Sequence, residues 1–218
     1  MSDHDAQIDP AVFIIESPSA ADVLDGRAEG HALFSALRLA RITCHYFNVA
    51  NKDAFEECFR RIALKTRPMT RIVAGSPPER TVTVPYIHLS AHGNQDGIAL
   101  TGGEFVAWSV LRELLIEYAS SMKLIGRDDA CLLTLCMSSC KGAYARSMME
   151  VHPPFACTAL VGTDRDVDWA DALTAFLTFY HLMIYKDRPA TEAVRQMNHS
   201  SGLDNPFAAI TYKDILDG

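Results

Sequence analysis

The sequence predicts an α/β fold: a three-layer sandwich with helices on both faces of a mainly parallel central sheet. Three observations carry this. Short apolar runs of strand length alternate with longer segments of helical periodicity along the chain. The runs are apolar on both sides, as strands covered by helices on both faces must be. Nearly half of the 218 residues are hydrophobic (49%), enough to fill a sizeable core. With no internal repeat and no low-complexity linker, residues 1–218 read as a single domain.

Each element follows from its residues. Ala11 to Ser17 (AVFIIES) is a short apolar run stopped by Ser-Pro and reads as a buried strand. Ala20 to Arg41 is rich in Ala and Leu, with helix expected in its second half. Ile42 to Val49 is β-branched and aromatic, hence a second strand. Asp53 to Lys65 sets Phe55, Cys58, Phe59 and Ile62 on one helical stripe. Turn chemistry at Gly75 to Pro78 makes the next segment a loop or short hairpin. Tyr86 to Ser90 is a third strand running into AHGNQDG. A brief apolar piece, Ile98 to Leu100, precedes a long amphipathic helix, Phe105 to Met122. A fourth strand, Cys131 to Leu135, runs into CMSSCKG and a helix, Ala143 to Glu150. A fifth, Cys157 to Val161, leads through GTDRDVD into helix Trp169 to Tyr185. A last helix covers Ala190 to Asn198, and Ala208 to Tyr212 is an edge-strand candidate.

The formal net charge of -7 argues against binding nucleic acid by neutralising phosphates. The opening MSDHDAQIDP is polar and acidic, unlike a secretory leader, and no apolar run is long enough to span a bilayer. The expectation is a soluble cytoplasmic protein. Six cysteines without a secretion signal are then not expected to form a disulfide framework. Cys44, Cys58, Cys131 and Cys157 lie in apolar runs and read as buried small hydrophobes. Cys136 and Cys140, in a small polar stretch, need another explanation.

In parallel α/β sheets, functional groups collect outside the carboxyl ends of the strands. AHGN and CMSSCKG both sit at such ends, on consecutive expected strands. A cysteine nucleophile needs a base that meets it in space rather than in sequence. His92 and Cys136 satisfy this if their strands are neighbours. Gly93 lacks a Cβ, so a substrate carbonyl can approach its backbone, and its N–H with that of Cys136 would form an oxyanion hole. A helix starting just after Cys136 would lower its thiol pKa. Cys140 is the competing nucleophile. Cys136 is preferred because it directly follows the apolar run, whereas Cys140 is expected in the turn or helix beyond.

YIHLSAHGN followed one helix later by LLTLCMSSC resembles the His-Gly and Cys motifs of caspase-like cysteine peptidases, the clan of caspases, separase and gingipains. The 44 positions between His92 and Cys136 are near the roughly 50 of caspases. The sequence most resembles CHAT-type proteins, in which the nucleophile follows a strand in an L-S-A-C-x-S-G pattern, here Leu133 to Ser139. VDWADALTAFLTFYHLM and ATEAVRQM are similar to the segments that follow. Ser139 stands where Gly is usual, and the caspase Gln-Ala-Cys-Arg-Gly is absent, so cleavage after Asp is not implied. The resemblance implies a caspase-like fold and an endopeptidase that cuts a protein substrate through an acyl-enzyme and needs no cofactor. It also implies control by a protein activator, expected here in a separate chain of a bacterial antiviral defence or signalling system.

Blander readings stand beside these. His88 reads as a hydrogen-bonded core histidine, and Trp169 and Tyr180 as core aromatics. A zinc site from His88, His92, Cys136 and Cys140 has the right ligand types. Its two histidines, however, lie about 13 Å apart along one strand, so no metal is expected. Asp164, Asp166 and Asp168 form an acidic cluster that is ordinarily solvated. On the rim of the pocket, Asp164 or Asp166 would instead select a basic P1 residue of the substrate. The remaining alternative is a catalytically silent adaptor with the same fold.

Overall fold

Within AVFIIES the side chains alternate between two apolar faces, and a strand so built must be covered on both. In the computed structural model, which describes residues 6–67, 69–71, 79–126 and 128–217, this run is the core of β1 (Ala6–Ser17). Val12 and Ile14 pack to one side and Phe13 and Ile15 to the other, all at most 2% exposed. β1 pairs in parallel with β2 (Cys44–Asn48) and with β4 (Glu79–Gly93). β4 pairs in parallel with β7 (Thr134–Ser138), and β7 with β8 (Ala159–Thr163). β9 (Phe207–Thr211) closes the edge antiparallel to β8, giving the order β2-β1-β4-β7-β8-β9. Three short strands hang on this path: β3 (Met69–Arg71) on β4, and the pair β5 (Gly97–Ala99) and β6 (Phe105–Ala107) beyond the end of β4.

One face of the sheet carries α3 (Lys52–Lys65), α4 (Trp108–Ser121) and the 3₁₀ segment Gly142–Met148. The other carries α2 (Glu29–Leu39), α5 (Trp169–Tyr180) and α6 (Ala190–Ser201). The helices obey their sequence. The expected stripe Phe55, Cys58, Phe59 and Ile62 is the buried face of α3, and the Asn51 side chain caps its first turn by accepting from the Ala54 N–H. The three-layer α/β architecture with a mainly parallel sheet is thus the one the sequence predicts. Among the described residues, no helix is long and apolar enough to cross a membrane.

The departures are at element ends. β4 begins at Glu79 and reaches Gly93, while the Thr-Val alternation of residues 81–84 and the polar Ala91-His92-Gly93 lay outside the expected strand. β7 and β8 are also displaced toward their carboxyl ends, to Ser138 and Thr163. The expected turn at Gly75 to Pro78 lies outside the described residues, between β3 and β4. Ala20 to Arg41 divides into a short α1 (Ala20–Leu24) and α2, and Tyr212–Leu216 adds a final α7.

Candidate active site at the strand ends

The chain runs from β1 outward to β2 and then returns to place β4 on the other side of β1, so the connections leaving β1 and β4 part company above the sheet. A crevice opens at such a divergence. The segments after β1, β4, β7 and β8 all contribute to it. Their side chains line a cleft of about 540 Å³ that includes Asp22, His92, Ser139, Cys140, Asp166 and Trp169.

His92 is the penultimate residue of β4, with its side chain half exposed. Its Nε2 lies 2.6 Å from Oδ2 of Asp22. Asp22 is itself tightly held. It occupies the third position of the five-residue α1 in a capping box with Ser19, whose hydroxyl donates to Oδ2 at 2.6 Å while accepting from the Asp22 N–H. The Ser19 backbone N–H also reaches Oδ2, and the other oxygen, Oδ1, takes Trp169 Nε1–H at 3.3 Å and Arg27 Nε at 3.2 Å. Burial alone would push this carboxyl up. The Ser19 hydroxyl and His92 outweigh it and hold the pKa at about 2. Asp22 is therefore a carboxylate at neutral pH, which assigns the proton between them to His92 Nε2 and leaves the Nδ1 lone pair for chemistry. The Trp169 ring meets the imidazole edge-on, with centroids 5.3 Å apart.

β7 delivers the cysteine. Beyond Ser138 the chain turns through Ser139 and Cys140 into Lys141, which adopts a left-handed conformation at φ 57°, and then enters the 3₁₀ segment. Two glycines make the turn possible. A Cβ on Gly93 would stand 2.6 Å from the Cys140 carbonyl oxygen, and one on Gly142 would stand 2.5 Å from Met137 Cβ. Gly93 thus lets the end of β4 lie against the residue preceding the turn. The backbone of Gly93 is also suitably disposed. Asn94 N–H bonds to Gly97 O, so in the antiparallel ladder with β5 the next pair, Gly93 and Ile98, is the non-hydrogen-bonded kind. The Gly93 N–H therefore points away from β5. The Cys140 thiol touches the segment after β8. Val167 N–H donates to its sulfur at 3.5 Å, and the thiol faces Val167 O at 3.7 Å. Lys141 N–H donates to Arg165 O, docking the same segment.

Cys136 has a different place. It lies in the middle of β7, level with His88 of β4, and is fully buried. Burial pushes its thiol up to about 12 despite a hydrogen bond with Tyr180. A cysteine enclosed in this way can neither meet a substrate nor ionise near neutral pH, so the structure does not bring the expected Cys136 into the cleft, and Cys140 is the cysteine that lines it. The error came from ending the strand at Leu135, which made Cys136 look like the first residue beyond it. Cys58, Cys131 and Cys157 are buried as expected, and Cys44 is only partly so.

Of the acidic cluster, Asp166 lines the cleft and Asp164 does not: Asp164 borders a small surface hollow beside Arg146. Asp168 joins Asp166 in the cleft wall. It stands at the N-cap of α5 without using its side chain as a cap, which leaves the carboxylate unspent. The four residues of the zinc alternative do not converge: His88 and Cys136 are level with each other in the interior, whereas His92 and Cys140 lie four residues farther along, in the cleft. Among the described residues, no group of three or more His, Cys, Asp or Glu side chains could hold a metal ion. The sequence reasoning missed Asp22 and Trp169. Asp22 carried a signal in the Ser19-x-x-Asp22 capping pattern, while nothing in the sequence set Trp169 apart from core aromatics.

No protein-family model and no curated protein matches the chain. Solved structures do. The Arg-specific cysteine proteinase gingipain R superposes with a TM-score of 0.56 at 8% identity over 95% of this chain. A complex of the pro- and mature domains of gingipain R from Porphyromonas gingivalis gives 0.56 at 8% identity over 98%. The chain spans about half the length of these relatives, 49% and 51%. At this identity the likeness shows the fold alone, which is similar to that of the gingipain R structures.

Proposed function

We propose that the chain is a cysteine endopeptidase in which Cys140 is the nucleophile, His92 the general base and Asp22 the residue that orients it. The observation that carries this is a single cleft in which Cys140 and His92 share the wall while a buried carboxylate holds the far side of the imidazole. In this reading His92 Nδ1 takes the thiol proton, and the Cys140 thiolate adds to the scissile carbonyl. The oxyanion is held by the N–H groups of Gly93 and Cys140. The intermediate collapses to a thioester as His92 returns the proton to the leaving amine. Water, deprotonated by the same nitrogen, then releases the acyl group and restores the thiol. Asp22 compensates the imidazolium that forms twice in this cycle. Cys140 lies 48 positions after His92, near the roughly 50 of caspases.

The carboxylates of Asp166 and Asp168 support a preference for Arg or Lys at P1, through a charge-assisted pair. The Val167 backbone holds the thiol and would have to release it before attack, which supports control by an activating protein. The rest of the proposal is that residues 1–218 work as one CHAT-like domain in the cytoplasm, with the activator a separate chain in a bacterial defence or signalling system.

The test is alkylation with an iodoacetamide probe across pH, read by mass mapping on the wild type and on Cys140→Ala, Cys136→Ala and His92→Asn. Labelling near neutral pH that is lost in Cys140→Ala, retained in Cys136→Ala and slowed in His92→Asn supports the dyad. A Cys140 that labels no faster than Cys44, with no dependence on His92, overturns it in favour of a silent adaptor.

A further inference from the structure

We infer that Trp169 is a positioning residue for the His92–Asp22 pair, and that the three residues 167–169 form a brace touching both halves of the proposed dyad. The inference rests on the cysteine-peptidase reading of the cleft. The indole makes two contacts at once. Its Nε1–H donates to Asp22 Oδ1, the oxygen that His92 does not use, and its ring meets the imidazole edge-on at 5.3 Å and 69°.

The consequence is geometric. A carboxylate can rotate to present either oxygen, and an imidazole can rotate about its last side-chain bond to present either nitrogen. With Oδ1 occupied by Trp169 and Arg27, Oδ2 is the oxygen left for His92. With the indole packed edge-on against it, the imidazole is held with Nε2 on Asp22. Arg27 is a poorer clamp: its side chain is 54% exposed and it is shared with Asp25. Trp169 is better anchored because it opens α5, whose Phe176 and Tyr180 are fully buried. Two residues earlier, Val167 holds the Cys140 sulfur through its backbone. One short segment thus touches both members of the dyad, and a shift at the start of α5 would reach both.

The first measurement leaves the protein unaltered. The chain has two tryptophans, so a ¹⁵N-labelled sample gives two indole N–H signals, and the one missing from Trp169→Phe is that of Trp169. The brace predicts that this signal shifts as His92 gains a proton and that the shift is absent from His92→Asn. A Trp169 signal indifferent to His92 overturns the inference, whatever the fate of the peptidase reading. The second measurement is the pH profile of Cys140 alkylation. Trp169→Phe, which loses the N–H but keeps an aromatic ring, is expected to slow labelling at neutral pH about tenfold and to move the acid limb of the profile. Its melting temperature should stay close to that of the wild type. Asp22→Asn and the double variant should then label alike, because the indole acts through the carboxylate. Equal rates for Trp169→Phe and wild type, or a full further loss in the double variant, overturn the positioning role. Slow, His92-independent labelling of wild-type Cys140 tells against the peptidase reading instead, and the indole signal still decides the brace.

Discussion

Two His–Cys pairs lie along β4 and along β7 with the turn that follows it, each 48 residues apart in sequence, and only the second opens into the cleft. His88 and Cys136 are level with each other in the interiors of β4 and β7, and both are fully buried. His88 reaches Tyr180 through Nδ1 at 3.1 Å and Glu29 through Nε2 at 3.5 Å, while Cys136 bonds to Tyr180. Four residues farther on, His92 and Cys140 emerge into the cleft. Residue type and spacing are the same. What differs is solvent access and the carboxylate beside the imidazole. Glu29 is a buried partner with one oxygen, Oε1, left without a hydrogen bond among the described residues. Asp22 is saturated with donors and fixed by its own helix. The interior pair is a buried polar island in an apolar layer, and the outer pair lines the cleft.

The largest effect separates the cysteines. In the native protein Cys140 should alkylate faster than Cys136 by a factor on the order of 10³ or more, since the interior thiol is both enclosed and held at about 12. Peptide mapping after brief labelling at pH 7.5 checks this. Comparable modification of Cys136 in a folded sample would erase the distinction between the pairs.

The histidines should separate next, in opposite currencies. His92→Asn is expected to slow Cys140 labelling about 100-fold with little change in melting temperature. His88→Ala should do the reverse. It strips Glu29 and Tyr180 of a buried partner and should cost about 2 kcal/mol in denaturant unfolding, leaving Cys140 reactivity near normal. A His88→Ala variant that loses reactivity while keeping its stability would mean that the two pairs are coupled rather than merely similar.

Asp22 sharpens the comparison through pH. Its folded pKa of about 2 lies below the unfolded carboxylate value of about 3.9. The stability it contributes is thus fully present above about pH 4 and is lost as pH falls toward 2. The contribution is about 2 kcal/mol, so Asp22→Asn should be less stable than wild type by that amount at pH 6. The gap should close by pH 2. Melting curves at several pH values read it, and a gap that widens in acid contradicts the assignment.

These pairs also show what was legible in the sequence. Apolar runs and helical stripes revealed the sheet and its layers because burial on two faces leaves an unmistakable pattern, as in Phe13 to Ile15 or Phe55 to Ile62. The strand ends did not show, because there the buried residues are polar. Ser90, Ser138 and Thr163 are at most 1% exposed, yet hydroxyl residues do not read as core. Cutting β7 three residues short moved the apparent strand end from Ser138 to Leu135, and with it the expected nucleophile to Cys136, whereas Cys140 is the cysteine that lines the cleft. The same truncation of β4 left His92 and Gly93 beyond the expected strand, but their motif was read on its own. Asp22 and Trp169 arrive from segments 70 and 77 positions away from His92, and only the folded sheet brings them together.

The smallest expected effect concerns the exposed carboxylates around the outer pair. Asp166 is 78% exposed and only loosely paired with Lys141, at 4.0 Å, while Asp168 spends nothing on capping α5. Exposed carboxylates of this kind interact weakly, because water screens them and the partner side chain loses freedom. Asp166→Asn and Asp168→Asn are therefore each expected to lower the preference for Arg over an uncharged P1 residue by about threefold. The preference in the wild type should itself decline as salt rises. Paired fluorogenic peptides differing only at P1, assayed at low and high ionic strength, supply the measurement. A preference untouched by either substitution would mean that the cleft reads its substrate by shape. Arg27, a guanidinium in the cleft wall, would then be the residue to change next, since its release from Asp22 would leave a positive charge beside His92.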